Sequence, residues 1–202
     1  MTTLFQAPGA CSLAPLIALH IAEIAHDTVN VDLRAHKLAD GGDYFAINPK
    51  GAVPALKVDD GEVLTENAVL LQYIADQAPA SDLIPVSGLE RYRQLELLNY
   101  IATEVHKGFG PLFNPATLPE ARQTANDALG KKFTFLATKL QSNGFLAGAK
   151  LTAADAYFFT VLRWTDMFKI DLSPWPAIVA YRQRVASQPS VVAALKEEGL
   201  GG

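Results

Sequence analysis

Cysteine is almost missing from this chain: Cys11 is the single one among 202 residues. One thiol cannot close an internal disulfide, so stability has to come from packing, and a reducing compartment is the simplest setting. Long hydrophobic runs are missing too. No segment stays apolar long enough to span a bilayer, and the opening Met1-Thr2-Thr3-Leu4 lacks the basic flank and apolar stretch of an export signal. The expectation is a cytoplasmic protein with no membrane association. Positive charge is not in excess: 17 Lys and Arg face 21 Asp and Glu, giving a net charge of −4, and the basic residues are scattered. That excludes the one-sided basic face of a nucleic-acid binder. Internal repeats, low-complexity tracts and a glycine-rich phosphate loop are absent, and the four histidines and one cysteine show no compact metal-ligand spacing. Neither a metal nor a nucleotide is expected.

What is present is apolar residue in quantity, 50% of the chain, enough for one large domain or two small ones. The first third alternates strand and helix signals. Leu4-Phe5-Gln6 reads as a short strand, Leu13 to Ala25 as a helix, and Val29, Val31 and Leu33 alternate with polar neighbours as on a half-buried strand. Ala55 to Val58 and Glu62 to Leu64 flank Asp59-Asp60-Gly61, a hairpin turn in which glycine tolerates positive φ. Helical spacing returns from Asn67 to Gln77, for an expected order β-α-β-α-β-β-α. Between Ala78 and Gly88, Pro79, Ser81, Pro85 and Ser87 interrupt periodicity and read as an interdomain linker. Everything beyond reads as helix: Glu90–Lys107, Pro119–Gln141, Thr152–Phe168, Trp175–Ala186 and a short last one near Val191–Glu197. Thr152-Ala153-Ala154-Asp155 has the spacing of a reciprocal N-terminal cap, with Asp155 in the place of the usual Glu or Gln.

Four places carry chemistry. Cys11, in Pro8-Gly9-Ala10-Cys11-Ser12, falls at a strand-to-helix turn, where the positive end of a helix favours thiolate over thiol. Pro54 directly precedes a strand. In trans it is an ordinary strand start; in cis it turns the backbone so that Val53 offers its N–H and C=O to an extended ligand. Glu66-Asn67 opens a helix, where the pair either caps that helix or meets an α-amino acid end, with the helix terminus facing a carboxylate and Glu66 an ammonium. His106 stands on the first long helix of the second half, sharing a face with Asn99 and Thr103 by spacing, with Glu104 and Lys107 on a neighbouring stripe.

Cys11-Ser12 after Pro8-Gly9-Ala10, Asn48 to Leu56 with Val53-Pro54, Thr65-Glu66, Tyr100 to Gly108 with His106, Gly148 to Asp155 and the all-helical remainder together resemble a bacterial beta-class glutathione transferase over essentially the whole chain. The resemblance implies an α/β plus all-α fold. A thioredoxin-like glutathione-binding domain would span 1–78, a linker 79–88, and an all-helical domain forming the electrophile pocket 89–202. It implies a homodimer, glutathione as co-substrate with no separate cofactor, and a cis proline at Pro54. Val53 would pair with the cysteinyl backbone of glutathione, while Glu66 and Asn67 hold its γ-glutamyl end. Cys11, with Ser12 beside it and His106 supporting, would lie nearest the sulfur; Lys107 and Asn99 would approach the tripeptide, as would Glu104 of the partner subunit. His36 departs from the lysine many relatives place against the glycyl carboxylate, with Lys37 next to it. Trp164 resembles an aromatic wall of the electrophile pocket, with Phe109, Leu112 and Phe113 as weaker candidates. The implied activity is attack of the glutathione thiol on small hydrophobic electrophiles. Monothiol disulfide exchange or peroxide reduction through Cys11 is a second activity, because Cys11-Ser12-Leu13-Ala14 lacks a resolving cysteine. The competing reading is a glutathione-binding or ligand-carrying protein with little catalysis.

Overall fold

The computed structural model describes residues 2–200. Its first half is built on β1 (Thr2–Gln6), α1 (Leu13–Ile21), β2 (His26–Asp32), β3 (Lys37–Leu38), β4 (Ala55–Lys57), β5 (Val63–Thr65) and α2 (Asn67–Gln77). The sheet order is β3-β2-β1-β4-β5, with β1 parallel to β2 and the other neighbours antiparallel. The alternation of a strand decides the layering. Leu4 points into the larger core with α1 and α2, while Phe5 points to the opposite face with Val31, Tyr44 and Ala55. The hairpin forms where Asp-Gly predicts it: Gly61 has φ 93°, and the Val58 N–H donates to the Glu62 carbonyl at 2.9 Å. The expected helix between β2 and β4 is not there. The two-residue strand β3 and a 3₁₀ turn at Tyr44–Ala46 take its place, since the intervening chain lacks a sustained apolar stripe.

The second half is helical: α3 (Gly88–Tyr100), α4 (Gly110–Phe113), α5 (Pro119–Asn143), α6 (Ala153–Leu162), α7 (Trp164–Met167), α8 (Pro176–Ala186) and α9 (Pro189–Glu197). Proline opens α5, α8 and α9, where its missing N–H costs no intrahelical bond. Between α3 and α4 the helix continues through a π-helical segment, Ile101–His106, which changes the angular phase of every residue after it. The expected helix 152–168 is instead two, because the chain breaks at Arg163.

α1 joins the halves. It is apolar almost all round, buries Leu13 through Leu19, and packs on α2, α6 and α9. One continuous core therefore runs from Leu4 and Ile17 through Ile74 to Leu98, Phe158 and Tyr181. The expected linker is part of it: Leu83 and Ile84 are only 1% and 2% exposed, and the Leu83 carbonyl accepts the Ala153 N–H at 3.0 Å. The cap of α6 is likewise buried. The Asp155 carboxylate accepts from Thr152 N at 2.9 Å, Thr152 Oγ1 at 2.6 Å and Leu146 N at 2.8 Å, and the Tyr181 hydroxyl donates to the Asp155 carbonyl. Among the described residues no helix is long and apolar enough to cross a membrane.

Candidate active site

The turn after β1 is held from three sides. Ser12 Oγ accepts the Ala7 N–H at 3.1 Å and donates to the Ala7 carbonyl at 3.2 Å, closing the turn on itself. The Gly9 N–H donates to Glu198 Oε2 at 3.0 Å, and the Gly9 carbonyl accepts Trp164 Nε1–H at 2.9 Å. Gly9 adopts φ 77°, a conformation glycine takes at no steric cost. Cys11 thus enters the cleft on a braced loop, and its thiol donates to the Val53 carbonyl at 3.2 Å.

The opposite wall comes from the segment before β4 and from the start of α2. The Val53-Pro54 bond is cis. Just ahead of it, the Ala52 carbonyl accepts from the Tyr44 hydroxyl at 2.9 Å and from Asn48 Nδ2 at 2.7 Å, which fixes the backbone on the cleft side. Glu66, at the head of α2, has φ 72°, a left-handed backbone that costs a non-glycine residue about 1 kcal/mol or more and that folds retain mainly at functional sites. Its carboxylate pairs with Lys50 Nζ at 2.6 Å, and Lys50 also donates to Thr65 Oγ1 at 2.9 Å. Asn67 is buried, with an Oδ1 that finds no protein partner.

The helical half closes the cleft with His106, Lys107, Phe113, Tyr157 and Trp164. His106 Nδ1 lies 2.7 Å from the Tyr157 hydroxyl, and its ring meets Trp164 edge-on with centroids 4.9 Å apart. Trp164 in turn contacts Phe113 at 5.0 Å. The enclosed space is about 620 Å³, within the range of small-molecule sites.

Burial dominates the electrostatics. It pushes the His106 imidazole down to about 4, helped by the nearby Lys107 cation, so this ring is neutral at pH 7. Burial raises the Tyr157 hydroxyl well above its ordinary value, so it keeps its proton. The Cys11 thiol goes up to about 11, again through burial, against a lowering contribution from the Asn67 side chain. This reverses the expectation of a thiolate at the helix end. α1 begins two residues later, at Leu13, and loss of solvent outweighs its dipole. Cys11 is thus a protonated donor, to the Val53 carbonyl.

Of the residues expected from sequence, Cys11, Val53, Pro54, Glu66, Asn67, His106, Lys107 and Trp164 meet in the cleft, as does Phe113. Ser12 does not: it is 0% exposed and its hydroxyl is engaged with Ala7. His36 packs tilted against Phe45, ring centroids 4.4 Å apart, behind Gly51, rather than lining the cleft. Glu104, expected to reach the site from the partner subunit, pairs with Lys132 at 3.1 Å in its own chain, and Asn99 points away from the cleft, donating to the Leu95 carbonyl. The π-helical segment explains this, since it breaks the α-helical spacing that grouped Asn99 with His106. Phe109 and Leu112 are core residues. Sequence reasoning missed Tyr157 and Lys50. Tyr157 carries no local signal, being one aromatic in a buried helix 51 residues from His106. Lys50 lies inside the Asn48–Leu56 run and was legible as a cation beside Val53.

Residues 9–77 match the glutathione S-transferase N-terminal domain family and residues 100–189 the glutathione S-transferase C-terminal domain family. The chain is 48% identical over 198 residues to glutathione S-transferase GstA of Escherichia coli O157:H7, covering 98% of each. The solved beta-class glutathione S-transferase of Sphingomonas chungbukensis superposes with a TM-score of 0.93 at 46% identity, covering 98% of this chain and 99% of that one. A sphingomonad glutathione S-transferase solved in complex with glutathione gives a TM-score of 0.94 at 45% identity, with the same coverage. With a thioredoxin-like sheet domain, a helical second domain and a cleft between them that carries a thiol, a cis proline and an aromatic wall, this chain belongs to the glutathione S-transferase family.

Proposed function

We propose that the cleft binds glutathione and directs its sulfur at a small hydrophobic electrophile held against Trp164 and Phe113. The observation that carries this is charge matching. Glutathione has two carboxylates and one ammonium; the charged residues lining the cleft are Lys50, Lys107 and Glu66. Glu66 and the start of α2 suit the γ-glutamyl end, where an ammonium meets a carboxylate and a carboxylate meets helix N–H groups. Val53 suits the cysteinyl backbone. Its carbonyl already accepts a hydrogen bond, from Cys11, so the incoming cysteinyl N–H displaces that thiol and releases it toward the ligand sulfur.

Conjugation then rests on proximity and on hydrogen bonds to the glutathione thiolate. Tyr157, holding its proton, donates to His106 Nδ1 and leaves Nε2–H as the ring's remaining donor. Ser12 acts through the turn it closes, and His36 through its packing behind Gly51. We include a homodimer in the proposal, supported by Leu89 and Tyr92 standing 66% and 67% exposed on α3, and a cytoplasmic setting, which suits one free thiol.

A second reading, supported by Cys11 being in the same cleft, is monothiol exchange. The Cys11 thiol attacks the glutathione sulfur of a mixed disulfide between glutathione and another thiol, its proton passing to the departing sulfur, so that a Cys11–glutathione disulfide forms and the other thiol is released; a glutathione thiolate then attacks that disulfide at the glutathione sulfur, releasing Cys11, which takes up a proton, and forming oxidised glutathione. The two activities separate in Cys11→Ala. Steady-state conjugation of aryl halides should persist within about tenfold, whereas intact-mass detection of a glutathionyl adduct after incubation with oxidised glutathione should disappear. Glutathione binding with no turnover across aryl halides, epoxides, hydroperoxides and mixed disulfides would instead mark the protein as a carrier.

A further inference from the structure

Along the chain the histidines show no metal-binding spacing, but the fold brings two of them together with a carboxylate. His20 in the last turn of α1, His26 at the start of β2 and Glu197 at the end of α9 converge, with their ligating atoms all within 4.8 Å of one another. His20 Nε2 lies 2.9 Å from Glu197 Oε2 and His26 Nε2 lies 3.7 Å from Glu197 Oε1. The two rings meet edge to face, with centroids 5.3 Å apart.

The orientation of His26 is informative. Its Nδ1 sits 2.7 Å from the Ile24 carbonyl, which can only accept, so Nδ1 carries a proton and donates. In the neutral ring Nε2 is then a lone pair turned toward a carboxylate oxygen, two acceptors that call for a cation between them. A backbone carbonyl holding the far ring nitrogen is how metal-ligating histidines are oriented. The His26 side chain is only 8% exposed, whereas His20 and Glu197 keep 23% and 31% of theirs, leaving solvent access on one side. A tetrahedral zinc ion with ligands at about 2.0–2.1 Å holds its donor atoms about 3.3 Å apart. The two nitrogens lie 2.9 and 3.7 Å from different oxygens of the Glu197 carboxylate, and one ligating atom of each residue lies within 4.8 Å of the others, so a modest side-chain adjustment brings the three donors to that spacing.

We propose that His20 Nε2, His26 Nε2 and a Glu197 carboxylate oxygen form a zinc site, with water as the fourth ligand. Two imidazoles and one carboxylate suit zinc among divalent ions. None of the three residues lines the glutathione cleft. The ion would tie α1 and β2 of the sheet domain to the end of α9, and by binding only the folded chain it would stabilise the junction between the two halves.

The test uses the full-length protein stripped of metal by chelator and titrated with Co²⁺, then Zn²⁺. The expected result is one equivalent of Co²⁺ bound with visible absorption of four-coordinate intensity, no thiolate charge-transfer band, and displacement by Zn²⁺. At hundredfold excess over Kd, Zn²⁺ should raise Tm by about 5 °C or more. Cys11→Ala should bind as the parent does. His20→Ala and Glu197→Gln should each weaken Zn²⁺ binding by at least about tenfold and lose the Tm rise, while circular dichroism and glutathione turnover without added metal stay as in the parent. No saturable binding, a thiolate band abolished in Cys11→Ala, or unchanged affinity in folded His20→Ala and Glu197→Gln would each overturn the site.

Discussion

Glu198 Oε2 accepts the backbone N–H of Gly9 at 3.0 Å, joining residues 189 apart, so the end of the helical half holds the turn that presents Cys11. Its other oxygen, Oε1, is buried without a partner. Glu198→Gln keeps an acceptor for Gly9 and removes a poorly solvated charge, so its stability should stay within about 1 kcal/mol of the parent. Glu198→Ala leaves the Gly9 N–H unpaired and should cost about 1–3 kcal/mol in urea unfolding, with a raised KM for glutathione. Equal behaviour of the two variants would mean that Gly9 does not depend on this acceptor.

Tyr157→Phe removes the hydroxyl from His106 and little else. If Tyr157 sets the tautomer, kcat for conjugation should fall by roughly tenfold, the equivalent of about 1.4 kcal/mol, while KM for glutathione hardly moves. A changed KM with constant kcat would place the contact in binding instead.

His106 makes stability depend on pH in one direction. Burial first, then Lys107, lowers its pKa from 6.5 to about 4, so the folded chain favours the neutral ring. The stabilisation is complete above the unfolded value and is lost as pH falls from 6.5 through about 4. Partial solvent access reduces the full value of such a shift, leaving about 2 kcal/mol. Urea midpoints of the parent and of His106→Gln, measured across that interval, should diverge in slope, with the variant flatter.

Asp155 supports two backbone donors, Leu146 N and Thr152 N, besides the Thr152 hydroxyl. Thr152→Ala removes one capping partner, at about 0.5–2 kcal/mol. Asp155→Ala also strands two buried N–H groups and should cost about 3 kcal/mol or more. Because both changes act on one network, the double variant should fall short of their sum in thermal melts.

Features written within a few residues were legible in the chain. Asp59-Asp60-Gly61 is a turn because Gly61 tolerates φ 93°, and α2 runs from Asn67 to Gln77, as its apolar spacing indicates. The cap at Thr152–Asp155 forms from its own four residues. The site was legible where family resemblance ties a residue to a turn, as for Cys11, Val53 and Glu66. It was not legible where helix phase decides, because the π-helical segment Ile101–His106 separates Asn99 from His106 although their spacing predicts one face.

By itself, then, the sequence determined the first β-α-β unit, the hairpin with the helix after it, the helical character of the second half and the place of the lone thiol, since periodicity, turn chemistry and capping act over four or five neighbours. Only tertiary structure decided that Tyr157 meets His106, that Glu198 meets Gly9, that burial keeps Cys11 protonated, and that His20 and His26 meet Glu197. These depend on how α1 packs on α6 and α9 and how α6 meets the π-helical segment, a long-range arrangement that no local pattern specifies.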